Sequence, residues 1–226
     1  YMADYKRDPT NPGDHRLFGD VNTVEGGTGQ EHFDFLSNGF KWRRAKNPFK
    51  NIINFDNVGA MGHSMGGGTA YTAMLKDKNI KAGVALDGWF FGLLDNEASK
   101  DTKKPFLHIG QEQFLDDAIE GDINDSKDGK KNFTIYNTML KNNKESYGVY
   151  IKNSLHYSYT DLKLIYRAGS PLSIPLNSLG KVDKQIVDVV MDKTVLDFFN
   201  YALKNQDINI NDYNTYNGQV IYNKHP

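Results

Sequence analysis

The stretch GAMGHSMGGGTA at residues 59–70 limits what this chain can fold into more than any other segment. Gly62, His63, Ser64, Met65 and Gly66 satisfy the pattern G-x-S-x-G, and two more glycines follow at 67 and 68. Five positions with three fixed are met by chance in many chains, so the surroundings decide what the pattern means. A nucleophilic serine of this kind stands on a sharp turn from strand to helix, strained so that its hydroxyl projects above the sheet. Glycines are expected on both sides because side chains there would collide with the neighbouring strand or helix. Val58, Ala60 and Met61 supply a short apolar run before the turn, and TAYTAML after it favours helix. The competing reading is a phosphate loop at a helix N-terminus. No Gly-Lys-Ser/Thr follows, as a P-loop requires. The context therefore predicts Ser64 as a nucleophile.

The remainder of the chain supplies a matching frame. IKAGVALDGWFF and KPFLHIG read as strands buried on both faces, as parallel sheets require. Phe133, Ile135, Tyr136, Met139 and Leu140 have the spacing of an amphipathic helix over 132–141, and YGVYI at 147–151 is a further strand. Apolar residues at 182, 186, 189, 190, 195, 196, 199 and 203 predict a long helix over 182–203. This alternation is an α/β class with a mostly parallel sheet flanked by helices, which keeps functional groups at the carboxyl ends of its strands. Residues 1–53 are polar and irregular, with turn signals at DPTNPGDH, EGGTGQ and SNG and a short helix candidate around Phe33, Phe35, Leu36 and Phe40. The polar tail, 205–226, is expected as a strand pair or a loosely held end. A single domain over 1–226 with its core at 54–204 is expected, since a chain of 226 residues buries roughly 70 to 75% of its unfolded surface.

Composition removes several function classes. With 27 basic and 28 acidic side chains the net charge is -1, which gives no electrostatic reason for a nucleic-acid partner. The absence of cysteine excludes disulfides, thiolate zinc sites and a cysteine nucleophile. No spaced metal-ligand set is visible, and neither a metal nor a cofactor is expected. No run of eighteen apolar residues spans a membrane and no charged-then-apolar leader opens the chain, which begins at Tyr1, so the compartment is undetermined.

A serine is a weak nucleophile until a histidine takes its proton, with a carboxylate orienting that histidine. In this architecture the chain order is serine, acid, histidine. Histidines stand at 15, 32, 63, 108, 156 and 225. His63 lies inside the turn, with its side chain expected to point away from that of Ser64, and His108 sits in an apolar run as a core residue. His156, in the polar loop KNSLHYS after a strand, is the expected base. For the acid, Asp87 ends the strand KAGVALD, while Glu112, Asp116 and Asp117 follow the next strand. The pattern of the sequence leaves these four open.

DNVGAMGHSMGGGTA, IKAGVALDGWFFGL, KPFLHIGQEQF, NSLHYSYTDL and the closing helix together resemble the platelet-activating-factor acetylhydrolases of the plasma and intracellular type II kind. The resemblance covers residues 54 to about 204, with the segments in the family's order. It implies an α/β-hydrolase fold and a calcium-independent serine esterase acting on phospholipids with short or oxidised sn-2 chains, which entails peripheral contact with a lipid surface. A simple short-chain carboxylesterase, or a hydrolase-like fragment that only binds, are the other readings. By position, the family's serine, acid and base fall on Ser64, Asp87 and His156, and no insertion separates the first two relative to the family pattern. The resemblance thus selects Asp87. Bacterial cutinases and polyester hydrolases carry a similar elbow but place the acid in a segment like GxxxD, where this chain has GQEQF, with Phe114 at the aspartate's position.

Serine esterases hold the tetrahedral oxyanion with two backbone N–H groups. Met65 supplies the first. In the family the second comes from a segment like SHGxG after an early strand. Only 63 residues precede Ser64, none reading as an apolar strand followed by His-Gly, and EGGTGQ at 25–30 has no strand before it. The expectation is either the C-terminal part of a longer enzyme or a rebuilt N-terminus. Trp89, Phe90 and Phe91 are candidates for the acyl-pocket wall along with His63, although core packing is expected to claim at least two of the three aromatics.

Overall fold

A computed structural model of the chain describes residues 52–90, 92–93, 95–114, 127–162, 179–207 and 220–224. In chain order these form β1 (Val58–His63), α1 (Met65–Lys76), β2 (Ile80–Leu86), a short α2 (Asp95–Ala98), β3 (Phe106–Gln111), α3 (Lys127–Asn142), β4 (Ser146–Ile151), α4 (Lys184–Lys204) and β5 (Val220–Lys224). Short 3-10 turns follow β3 at Glu112–Phe114 and β4 at His156–Tyr159. The candidate helix around 33–40 and the segment EGGTGQ lie outside the described residues.

The strands line up in the order β1-β2-β3-β4-β5. β1 to β4 are parallel and β5 is antiparallel to β4, with Tyr147 opposite Lys224 and Ile151 opposite Val220. The tail thus contributes an edge strand to the sheet. β2, β3 and β4 are buried on both faces almost without break, as strands with helices on either side must be.

Alternation along the strands divides the core in two. Ala82, Val84, Leu86, Leu107, Ile109, Val149 and Ile151 face Val187, Val190 and Phe198 of α4. On the other face Ala85, Phe106 and Tyr150 pack with Tyr71 and Met74 of α1 and with Tyr136, Met139 and Leu140 of α3. Helix α4 is bounded as its sequence suggests. The Asp183 side chain accepts a hydrogen bond from the Gln185 N–H at one end, and Asn205 takes the left-handed conformation (φ 53°) at the other. By contrast α1 begins at Met65 and runs through three glycines, which have poor helix propensity. Its close packing on the sheet overrides that preference.

Between β2 and α3 the turn at 87–90 is held from the side. Asn132, fully buried on α3, accepts a hydrogen bond from the Phe90 N–H and donates one to the Gly88 carbonyl (3.4 Å). His108 of β3, also fully buried, accepts from the Gly88 N–H through Nε2 (3.1 Å). The core position expected for His108 is therefore observed, and the residue also fixes the turn. Asn132→Leu should leave two buried backbone groups without partners and cost about 2–3 kcal/mol in urea unfolding, whereas the exposed Thr134→Ala should lie within about 0.5 kcal/mol of wild type.

Candidate active site

Parallel register sets the site. His63 at the end of β1 pairs with Leu86 at the end of β2, so the next residues, Ser64 and Asp87, emerge side by side at the carboxyl edge of the sheet. Both have positive φ, 58° for Ser64 and 45° for Asp87, a region that costs non-glycine residues about 1–3 kcal/mol. Ser64 is held there by its own backbone. Its N–H donates to the Leu86 carbonyl (3.0 Å), and its carbonyl accepts from the N–H groups of Gly67 (2.9 Å) and Trp89 (2.8 Å).

The glycines around the serine differ in what they do. A Cβ on Gly62 would lie 2.3 Å from the Gly66 backbone, so the turn closes only with glycine at 62. A Cβ on Gly66 would meet nothing within 4 Å, which corrects the expectation that both flanking glycines are sterically required. The close approach falls instead on the next two. A Cβ on Gly67 would lie 2.7 Å from that of Ala85, and one on Gly68 2.5 Å from the Trp89 carbonyl oxygen. This thin start to α1 lets it press against the turn that carries Asp87.

His156 comes from the loop after β4. The Ser64 hydroxyl donates to His156 Nε2 (3.0 Å), and His156 Nδ1–H donates to Asp87 Oδ2 (2.6 Å). Three residues remote in sequence thus form one hydrogen-bonded chain. Asp87 is 1% exposed. Burial alone would raise its carboxyl, but hydrogen bonds and attraction from His156, with the Gln111 amide, hold it below its ordinary value. It is therefore ionised at neutral pH. The competing Glu112 is engaged elsewhere, accepting from the Asn153 N–H (3.0 Å), while Asp116 and Asp117 lie outside the described residues.

The loop bearing His156 is anchored at several points. The Asn153 carbonyl accepts from the N–H groups of Lys181 (2.9 Å) and Val182 (3.1 Å). Ser154 Oγ donates to the Ile151 carbonyl (2.6 Å) and in turn accepts from the Tyr159 hydroxyl (2.7 Å). Ser158 Oγ accepts from the Leu155 N–H (2.9 Å) and donates to the Leu179 carbonyl (2.7 Å). His63 adds a further anchor. Instead of pointing away from the site, its ring lies 4.5 Å from that of His156, centroid to centroid, and Nε2–H donates to the His156 carbonyl (2.9 Å). Burial and then repulsion from His156 lower its proton affinity, leaving it a neutral donor.

The aromatic candidates separate. Phe90 is fully buried, stacked on Tyr136 and edge-on to Phe106 and His108, so it is a core residue and not a pocket wall. Trp89 is half-buried against the same core and contributes its backbone N–H to Ser64, while Phe91 is outside the described residues. Met65, as the first residue of α1, carries an N–H with no intrahelical acceptor, directly after the serine. Sequence reasoning missed Gln111, Ser154, Ser158 and Tyr159, and weighed Glu112 only as a candidate acid. The signal available for Gln111 was its place at the carboxyl end of β3. Among the described residues no cluster of histidine and carboxylate suits a metal ion.

A mostly parallel sheet with helices on both faces, a serine at the β1–α1 turn and its partners at later strand ends define an α/β-hydrolase fold. A ferulic acid esterase from Streptomyces cinnamoneus shares that fold, with a TM-score of 0.69 over 94% of this chain and 61% of that one, at 20% identity. The chain belongs to the family of platelet-activating factor acetylhydrolase, isoform II, whose model matches residues 19–221. It is similar to the platelet-activating factor acetylhydrolases of Gallus gallus (25% identical over 61% of this chain and 29% of that protein) and Cavia porcellus (27% over 67% and 34%). It spans about a third of the length of these curated relatives.

The two glycines flanking the serine give a direct test of the turn. Gly62→Ala should lower the thermal unfolding midpoint sharply, while Gly66→Ala should leave it unchanged or raise it, since alanine is favoured over glycine inside a helix by about 1 kcal/mol. Equal losses in the two variants would contradict the steric account.

Proposed function

We propose that this chain hydrolyses carboxylic esters through an acyl-enzyme, with Ser64 as nucleophile, His156 as general base and Asp87 as the orienting acid. The observation that carries the reading is the continuous hydrogen-bonded chain from the Ser64 hydroxyl through His156 to a buried, ionised Asp87. Ser64 Oγ attacks the ester carbonyl carbon as its proton passes to His156 Nε2. The negative charge that develops on the carbonyl oxygen is met by the Met65 N–H at the positive end of α1. Collapse of this intermediate breaks the ester bond, and His156 returns the proton to the departing alcohol. Water then attacks the acyl-serine while His156 takes its proton, and the carboxylic acid leaves as Ser64 is restored. Throughout, Asp87 keeps the proton of the resting imidazole on Nδ1 and stabilises the imidazolium.

Membership of the acetylhydrolase family supports a finer reading, in which the substrate is a phospholipid carrying a short or oxidised sn-2 acyl chain. Such a substrate is met at a lipid surface, so the protein contacts that surface peripherally. The same chemistry on a simple short-chain ester is the second reading, and the two differ in their dependence on the phospholipid headgroup and backbone. The alternating strands and helices support a single domain organised around the 54–204 core.

A fluorophosphonate probe with mass spectrometry tests the nucleophile. Labelling is expected at Ser64 and lost in Ser64→Ala, and a folded protein that takes no label would sink the enzymatic reading in favour of a domain that only binds. On a nitrophenyl acetate, Asp87→Asn should lose about 10⁴-fold in kcat, while Asp117→Asn should retain wild-type turnover. For the substrate, acetyl release from a phospholipid should exceed palmitoyl release. Equal rates on a phospholipid and a plain acetate ester would favour the simpler esterase.

A further inference from the structure

We propose that Gln111 is a positioning residue for the acid, its backbone and side-chain amides together fixing the rotation of the Asp87 carboxylate so that one oxygen is presented to His156. This inference rests on the Ser64, His156 and Asp87 reading given above. Gln111 closes β3 and is 2% exposed, an unusual place for a neutral polar side chain unless it is fully bonded. Its backbone N–H donates to Asp87 Oδ1 (3.1 Å) and its Nε2–H donates to Oδ2 (2.7 Å), so a single residue grips both carboxylate oxygens. Its backbone is itself set by pairing with Ile151 across β3 and β4.

What remains free at Asp87 without this grip is the side chain alone. Its backbone is pinned by the N–H bond to the Ile109 carbonyl (2.6 Å) and by the left-handed φ. The terminal torsion of an aspartate is broad and roughly two-fold, so the carboxylate plane has no strong intrinsic orientation. The Gln111 fork supplies one. It has a second consequence, because Oδ2 then accepts from two donors, His156 Nδ1 and Gln111 Nε2. The amide draws off part of the charge that would otherwise act on the imidazolium. Losing it should misorient the acid and at the same time strengthen its pull on the proton of His156.

Those two effects are separable in kinetics. Gln111→Met keeps the length of the side chain and removes the donor. The groups acting electrostatically with Asp87, namely His156, His108, His63, Tyr136 and Tyr159, stay unchanged in this variant. With a nitrophenyl acetate as substrate, kcat should fall about tenfold to a hundredfold, the range for a lost hydrogen bond to a charged group. KM should stay the same, and the acid limb of kcat/KM should move to higher pH. The downfield Nδ1–H proton resonance of His156 should broaden relative to wild type. A residue that merely fills space would move neither the limb nor the resonance, so a Gln111→Met protein with wild-type kcat and pH profile overturns the proposal. If that variant does not fold, Gln111→Glu replaces the donor with a carboxylate facing Asp87. Its activity relative to wild type should then decline as the pH rises, and a profile parallel to wild type would overturn the proposal equally. Ser64→Ala, assayed alongside, separates the two levels. Retained hydrolysis there defeats the underlying nucleophile assignment, whereas an inactive Ser64→Ala beside an unaltered Gln111→Met defeats the role of Gln111 alone.

Discussion

The left-handed backbone of Ser64 is the constraint on which the rest of the site depends. That conformation aims the hydroxyl away from the sheet and is unfavourable for a residue with a side chain. Three backbone hydrogen bonds offset it, one to Leu86 and two from Gly67 and Trp89. Each draws on a different part of the fold. The bond to Leu86 needs the β1–β2 register, the bond from Gly67 needs α1 to begin at once, and the bond from Trp89 needs the turn after Asp87 to fold back over the serine. The glycines at 67 and 68 follow from this arrangement, because only a helix without side chains at its start can approach that turn so closely.

The second half of the relay is assembled by different means. His156 is held by side chains bonding to backbone, through Ser154, Ser158, Glu112 and His63, by the Tyr159 hydroxyl on that of Ser154, and by Lys181 and Val182 just ahead of α4. A polar loop can be kept in one place this way because its carbonyl and amide groups find buried partners instead of water. The depressed carboxyl of Asp87 has the same origin, since burial would have raised it had His156 and Gln111 not supplied donors.

Much of this was legible from residue order. The strand–glycine–serine–glycine–helix pattern marks Ser64 because sterics at Gly62, Gly67 and Gly68 leave so few residue types able to make the turn. Three other strands declared themselves as apolar runs and the two long helices by periodicity, with α3 starting five residues earlier than its apolar spacing indicated. The place of Asp87 was not legible in that way. Asp87 and Glu112 both follow buried strands, and periodicity treats them alike. What separates them is a contact with His156 across 69 positions, which local pattern does not record. The grip of Gln111 on Asp87 and the turn of His63 toward His156 are long-range pairings of the same sort. Phe90 shows the complementary limit, since a Trp-Phe-Phe run announces apolar surface without saying which ring faces inward.

Ser64 and Asp87 belong to one continuous β1–α1–β2 unit, whereas His156 arrives from a loop some seventy residues further on, at the far side of β3. The hydrogen-bonded chain therefore joins two pieces of the molecule that are secured by separate sets of bonds, and His156 sits in the short stretch from 152 to 160. Opening of that stretch alone costs less than unfolding the sheet. It would leave the Ser64 hydroxyl on its turn without the imidazole that accepts its hydrogen bond. The site can in this sense come apart while the sheet stays whole, and the durability of the fold sets only an upper bound on the durability of the hydrogen-bonded chain.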